Sequence, residues 1–513
     1  MQKLLTIFSL VGVLLFLSSP TVTAQTASLE SVKRIRLRSS GSIINDGVIQ
    51  GYYFFYKMDR KSRKTNVYGL QILDQNLEKI ALKKIEGPKH LVLLEGVYNG
   101  NSIMLKFYDR KGKKYDFKQY DANAKLITSK SMDVRRLYAA ASKSSTGSDD
   151  EIDGVSLFSI PGKGFAHILM KKHKKVGFQI DYMSDDGETY WDYSSNKDTK
   201  EVFFAEFLAA NEDILLLSVI SKKKLLSKKL RYSVLALDIN TGEKLYEKPL
   251  EDKNRPVQVM NAFIDPSTKK ATLFGLYYKK GGDPIKDKSV GLFSYTLDND
   301  GKYENKELTS WAKGVSKFLP VNAKGNMKGK GYIFFHKIVR TADDKILAVG
   351  EMFNKEANAL GLIARDVSLA KIVVKDMYVF EFNSEFKLQG VEVFEKTKAS
   401  VNLESGALLT GPQRLAYSVN YRGGFGYEYT QRNQDNSIFT FGYINREKKK
   451  GAKTKYIFGA VTYADGEYTS DKVDLGRRAS NIAVFPAKPG HVMIIEYIRK
   501  EKKLEMRLEK INF

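Results

Sequence analysis

The residues that could do chemistry are five histidines, His90, His167, His173, His336 and His491, together with many Asp, Glu, Lys and Arg; cysteine is absent. Without Cys there is no disulfide and no thiolate metal site, and no two of the histidines have the spacing of a zinc motif. Single histidines on strands are ordinarily structural, so no metal and no cofactor are expected. The sequence has no G-x-S-x-G elbow, no phosphate-binding glycine loop and no G-x-G-x-x-G after a strand. "DNDG" (298–301) carries two carboxylates but is too short for a calcium loop and reads as a turn. Asp and Glu at strand ends are too numerous to single out a catalytic pair, so no catalytic residue is assigned. Two features remain. "YRGGFGYEYTQR" (421–432) could line a ligand site with Tyr421, Arg422, Phe425 and Tyr427, although its glycines equally suit an innermost strand near a crowded axis. The other is a set of cationic runs, of which "NREKKKGAKTK" (445–455) is one.

What positions these runs is a repeat. An alternating apolar run, an Asx/Gly turn and a more polar run recur seven times, as in "YGLQILDQNLEKIALKKI" (68–85), "YSVLALDINTGEKLYEKPL" (232–250) and "YIFGAVTYADGEYTSDKVDL" (456–475). Alternation across a turn that accepts positive φ is a hairpin signal. Two further apolar runs precede each copy, such as "HLVLLEGVY" with "SIMLKFY" and "YIFFHKIV" with "KILAVGEMF". Four strands per unit predict an all-β chain folded as a β-propeller. After the seventh hairpin come three strands with no fourth, and "SVKRIRLRS" (31–39) is an orphan that could complete them. That closure gives eight four-stranded blades; seven blades with an extra hairpin, or two stacked β domains, are the alternatives. Irregular inserts are expected near 135–150, 309–331 and 354–376, the last with a short apolar stretch suited to an extra strand or helix.

In such a ring, with strands lettered A to D outwards, each hairpin is a C–D unit and the segment before it a B–C connection. The eight B–C segments, 57–66, 109–114, 171–175, 222–231, 279–288, 354–376, 445–455 and 499–503, together carry +28. The whole chain carries +25, so these segments hold the net positive charge. The cations proposed to act are Arg60, Lys61, Arg63, Lys64, Arg110, Lys111, Lys171, Lys172, Lys222, Lys223, Lys224, Lys448, Lys449, Lys450 and Lys453. The C–D turns instead hold Asp74, Asp121, Asp185, Asp186, Asp238, Asp298, Asp300 and Asp465. One basic face would focus a field that captures anions, although Lys on hairpin tips also blunts strand edges and aids solubility.

The first 24 residues read as a secretory signal: Lys3, an apolar "LLTIFSLVGVLLFL" and small residues up to Ala24. The remainder, 25–513, is expected to be one exported propeller domain, periplasmic, outer-envelope or secreted, and monomeric. No later stretch could span a membrane as a helix. The partner expected is an anionic macromolecule or envelope surface: glycolipid, acidic polysaccharide or acidic protein. Nucleic acid is disfavoured because the loops interleave few aromatics with their lysines. The other function class that fits is a hydrolase or lyase working on an anionic polymer at the central pocket.

"LALDINTGEKLYEKPL" (235–250) resembles a blade of the quinoprotein-type propellers through Ala236, Asp238, Thr241 and Gly242, with Tyr246 where that pattern has a docking Trp. The likeness implies the fold and no quinone. "SDDGETYW" (184–191) nearly matches the S-x-D-x-G-x-T-W box of sialidase-like propellers, with its Gly one position early, and is read as turn chemistry. "GYYFFYKMDRKSRKTNVYGLQILDQNLEKI" (51–80) resembles the opening of an uncharacterised family of secreted bacterial proteins with β-propeller-like repeats. That resemblance brings no functional residues.

Overall fold

The computed structural model describes residues 25–511 except 36, 38–39, 134–155, 173–175, 196–198, 200, 225–229, 253–254, 285, 358–369, 404–414, 417–418, 421–422, 448–454 and 477–481. The expected signal (1–24) and the insert at 135–150 lie outside the described residues.

Each alternating run forms a strand because its apolar residues, spaced by two, all point to one side of the sheet. The strands assemble as eight antiparallel sheets, taken in chain order as blades 1 to 8. Blades 1 to 7 occupy 41–88, 91–133, 157–194, 202–249, 255–310, 332–394 and 427–476. Blade 8 takes Ile482–Pro486, His491–Ile498 and Lys503–Lys510 as strands A to C, and Thr26–Leu29 as its outermost strand. Thr26 pairs with Arg507 and Leu29 with Leu504. The ring therefore closes with one N-terminal and three C-terminal strands, but through 26–29 rather than 31–39. Within 31–39, Arg34–Ile35 instead pairs with Lys57 and Tyr56 as an inner annex of blade 1.

Each neighbouring pair of blades shares an apolar core, including blades 8 and 1, where Tyr52 and Phe54 meet Met493 and Ile495. Among the described residues the smallest of these lies between blades 2 and 3, with Met104, Phe117, Leu157, Phe165 and Met183 as its buried apolar members. The insert at 309–331 is structural. Trp311, Val315, Leu319, Val321 and Met327 enter the core between blades 5 and 6, and Trp311 Nε1 donates to Ser289 Oγ at 3.1 Å. In blade 6 the B and C strands run on as Ile346–Ala357 and Ala370–Phe382. The short apolar stretch of that insert falls within 358–369, outside the described residues, and Ala399–Leu403 adds a strand that pairs with 370–374.

The blades also dock through their outer turns. Trp191, on the outermost strand of blade 3, stacks on Tyr182 with centroids 5.1 Å apart and donates Nε1 to Ile239 O at 2.7 Å. It lies against Gly242 of blade 4, where an added Cβ would meet the indole at 2.6 Å. Tyr246 lies in the same way against Gly301 of blade 5. Both glycines have positive φ, +73° and +72°, which side chains resist. The likeness to quinoprotein-type blades thus rests on a real inter-blade contact, with Tyr246 serving where Trp is usual.

Candidate functional site: a basic face and an inner cavity

Alternating strand direction puts all eight B–C connections at one end of the blades, together with the D–A connections. Those of the sequence-read cations that are described lie in or beside these connections. Arg60 ends a B strand, and Lys61, Arg63 and Lys64 form the turn after it. That turn is ordered by its own polar atoms: Ser62 Oγ accepts the Lys64 and Thr65 N–H groups at 3.2 and 3.1 Å, and Arg60 donates to Ser62 O and Arg63 O. Lys61 pairs with Glu86 at 2.7 Å but stays well exposed. In blade 2, Asp109 Oδ1 accepts the Lys111 and Gly112 N–H groups at 2.8 and 2.9 Å, and His90 stands 3.3 Å away. This acid is consumed in building the turn that carries Arg110 and Lys111. Lys171 and Lys172 end the B strand of blade 3, Lys222 ends that of blade 4, and Lys223 and Lys224 follow it in the bend. Lys448, Lys449, Lys450, Lys453 and His173 lie outside the described residues.

The opposite face builds its turns on acids in the same way, and more often. Asp74 Oδ1 accepts the Asn76 and Glu78 N–H groups at 2.9 and 2.7 Å, and Asp121, Asp238 and Asp298 repeat that arrangement in their C–D turns. Among the A–B turns, Asp265 and Asp435 do the same. "DNDG" is one of these turns.

A cavity of about 350 Å³ opens at the basic end, among blades 6, 7 and 8. Phe425 lines it, with Glu428, Lys396, Asn445 and Arg446. Of the other residues proposed around 421–432, Tyr427 is packed behind it, stacked on His336 with centroids 4.8 Å apart. Tyr421 and Arg422 lie outside the described residues. The 427–432 stretch is indeed the innermost strand of blade 7.

Behind this cavity lies a buried charge cluster. Glu351, on the B strand of blade 6, has no exposed surface; it pairs with Lys396, and His336 Nε2 stands 2.9 Å from its Oε2. Its Oε2 also accepts the N–H groups of Gly426 and Tyr427, each at 3.0 Å. Burial alone would raise the Glu351 carboxyl, but Lys396 and His336 overcome that and hold it down to about 2. By surface area Glu428 is exposed, although protein atoms surround its carboxyl. Burial, then repulsion from Glu351, push it up to about 7 against the pull of Lys396.

Blade 2 holds a second cluster. Glu95 pairs with Lys106 at 2.8 Å, and Lys106 also donates to Ser156 Oγ at 2.5 Å. Nearby His167 and Asp181 are fully buried, 3.6 Å apart. Burial, then the charge of Lys106, push His167 down to about 4.

The innermost strands explain how these polar groups reach such positions. In blades 2, 4, 5, 6 and 7 the A strand slips register against the B strand, leaving Leu94, Leu208, Met260, His336 and Glu428 unpaired in the ladder. Such bulges twist a strand and re-aim its side chains. Two of the five thereby offer an ionisable group near the axis.

A model described as "Family of unknown function (DUF6770)" matches residues 1–512. No curated protein matches the chain. Among solved structures, prolyl oligopeptidase B from Galerina marginata matches over 92% of this chain and 56% of its own, at 8% identity and TM-score 0.39. This chain thus spans little more than half the length of that protein. The WD40 domain of SCAP from fission yeast matches over 82% of this chain and 95% of its own, at 8% identity and TM-score 0.29. The α-L-arabinofuranosidase Arb93A from Fusarium graminearum matches over 69% and 91%, at 12% identity and TM-score 0.31.

Proposed function

Because the chain belongs to this family of unknown function, we propose from its own surface that it is a non-enzymatic binding or scaffold propeller whose basic face docks an anionic macromolecule. We place it, exported and monomeric, at an envelope surface. The observation that carries the reading is segregation of charge. Cations crowd the B–C connections, while acids on the other face cap turns. Solubility alone needs charge but not one-sided charge; capture of a polyanion needs the latter.

The test replaces Lys222, Lys223, Lys224, Lys61 and Lys64 by Gln and measures elution from a heparin column against salt. Earlier elution with a shallower salt dependence is expected. Unchanged elution would refute the basic-face reading.

A second reading has its own observation. Glu428 is an acid poised near neutrality beside a cavity that also holds Arg446, as a general acid or base requires. Turnover of an anionic glycan that vanishes in Glu428→Gln would move the assignment to a hydrolase or lyase.

A further inference from the structure

The basic face is not uniform. Between blades 1 and 2 it dips into a cavity of about 200 Å³, rimmed by Arg34, Lys57, Lys89 and Arg110 and lined by no acidic residue. Lys57 and Lys89 form no ion pair among the described residues. Burial, then the charges of Arg60, Lys33 and Arg34, hold the Lys57 ammonium below its usual range against the pull of Asp59. Of the rim cations, Arg34 bears directly on Lys57, and an anion placed beside them would relieve that repulsion.

The floor has the opposite character. Phe55 and the half-buried Tyr68 lie stacked, centroids 5.4 Å apart. Tyr68 is held in place by its hydroxyl, which donates to Leu91 O at 3.2 Å and accepts from buried Asn66 Nδ2 at 3.1 Å. A cation rim over a fixed aromatic floor suits a ligand with one weakly polar face and an anionic group at its edge. A bare inorganic anion would leave the floor unused, and an acyl chain would leave the rim unused. Sites for drug-sized ligands span roughly 300–1,000 Å³, so this one is too small for a base, ribose and phosphate together. It has room for a single ring.

We propose that this cavity seats one acidic sugar residue of an anionic polysaccharide, its ring face toward Tyr68 and its carboxylate or sulfate at the cationic rim. The assignment rests on the basic-face reading and narrows it to a site and a ligand class.

The experiment uses the full chain, isothermal titration with a heparin-derived tetrasaccharide and saturation-transfer NMR of the same ligand. Lys57→Gln with Arg110→Gln should weaken tetrasaccharide binding by roughly tenfold or more, the loss of a charge-assisted hydrogen bond. Tyr68→Leu keeps every charge and should weaken the tetrasaccharide while leaving sulfate binding unchanged. Lys125→Gln with Lys244→Gln, exposed at C–D turns on the opposite face, should alter tetrasaccharide affinity less than about twofold. Matched melting curves would show that the variants fold. If the wild type stays on the heparin column while tetrasaccharide binding ignores the cavity variants, the cavity assignment fails and the face stands. If the wild type ignores both heparin and tetrasaccharide, both fail. Sulfate binding as tightly as the tetrasaccharide would overturn the sugar class. So would binding to phosphatidylglycerol vesicles without binding to the tetrasaccharide.

Discussion

Glu95 and Glu351 stand on opposite sides of the ring, four blades apart, and perform one task. Each buried carboxylate receives two consecutive backbone N–H groups where the next blade's innermost strand begins: Ser156 and Leu157 for Glu95, Gly426 and Tyr427 for Glu351. Each is neutralised by a buried lysine, Lys106 or Lys396. Two of the eight joints between blades are therefore latched by charge, and one of them is the joint with the smallest apolar core.

Breaking a latch from one side should be costly. Glu351→Gln leaves Lys396 buried without its counter-charge, and one-sided loss of a buried pair costs roughly 3–5 kcal/mol. Glu351→Gln combined with Lys396→Met should recover much of that. Urea midpoints of the two variants measure the difference; a single variant as stable as the wild type would show that the latch holds nothing.

Acid should loosen the joint between blades 2 and 3 first. An unfolded histidine takes up a proton near pH 6.5, whereas His167 resists until about pH 4. In that window the unfolded state binds more protons, so stability falls as pH drops. His167→Asn should flatten the fall, seen as melting temperature against pH. Glu351, at about 2 against an ordinary 4.5, adds a second loss only at lower pH.

Glu428 should act in the opposite sense. Its carboxyl ionises near 7 in the fold and near 4.5 in the unfolded chain, so the folded state holds the extra proton and stability falls as pH rises between those values. Glu428→Gln is expected to melt higher than the wild type at pH 8 and equally at pH 4. Identical pH profiles for the two proteins would rule out the shift.

Gly242→Ala tests the outer docking of the blades. It places a Cβ 2.6 Å from the Trp191 indole at a φ of +73°. A loss of about 1–3 kcal/mol is expected, from strain and overpacking together. Trp191 should report the displacement through a red-shifted fluorescence emission, with Trp311, deep between blades 5 and 6, as the unmoved reference.

The blades were legible because hairpins advertise themselves locally: "LDINTGEKL" and "TYADGEYT" place Asx and Gly where the turn needs them. The B–C loops follow from the order of strands, so their common face could be inferred without contacts. The closing strand was harder. "SVKRIRLRS" alternates well, yet among its described residues only Arg34–Ile35 pairs as a strand, while the true closing strand "TASL" has a single buried side chain, Leu29. An outermost strand has one neighbour and needs little apolar pattern. The latches left the least trace, since a buried charge looks like a surface one in sequence. Lys106 inside "SIMLKFY" and Glu351 inside "KILAVGEMF" are the only hints, and their partners are 11 and 45 residues away. The cavity between blades 1 and 2 gathers Arg34, Lys57, Lys89 and Arg110 from separate elements, which no local motif records.

The pairing of Thr26–Leu29 with Lys503–Lys510 also sets an order of events during synthesis. In the chain the closing strand precedes the seven other blades, and its partner follows them. Seven blades can therefore fold as they emerge while this short segment waits unpaired. Joining ends so far apart in sequence would cost roughly 5 kcal/mol of chain entropy if nothing lay between them. Each blade that docks shortens the gap, so the ring shuts only when all eight blades are present. Closure is thus a check on completeness, and a truncated product keeps an open seam that a protease can enter.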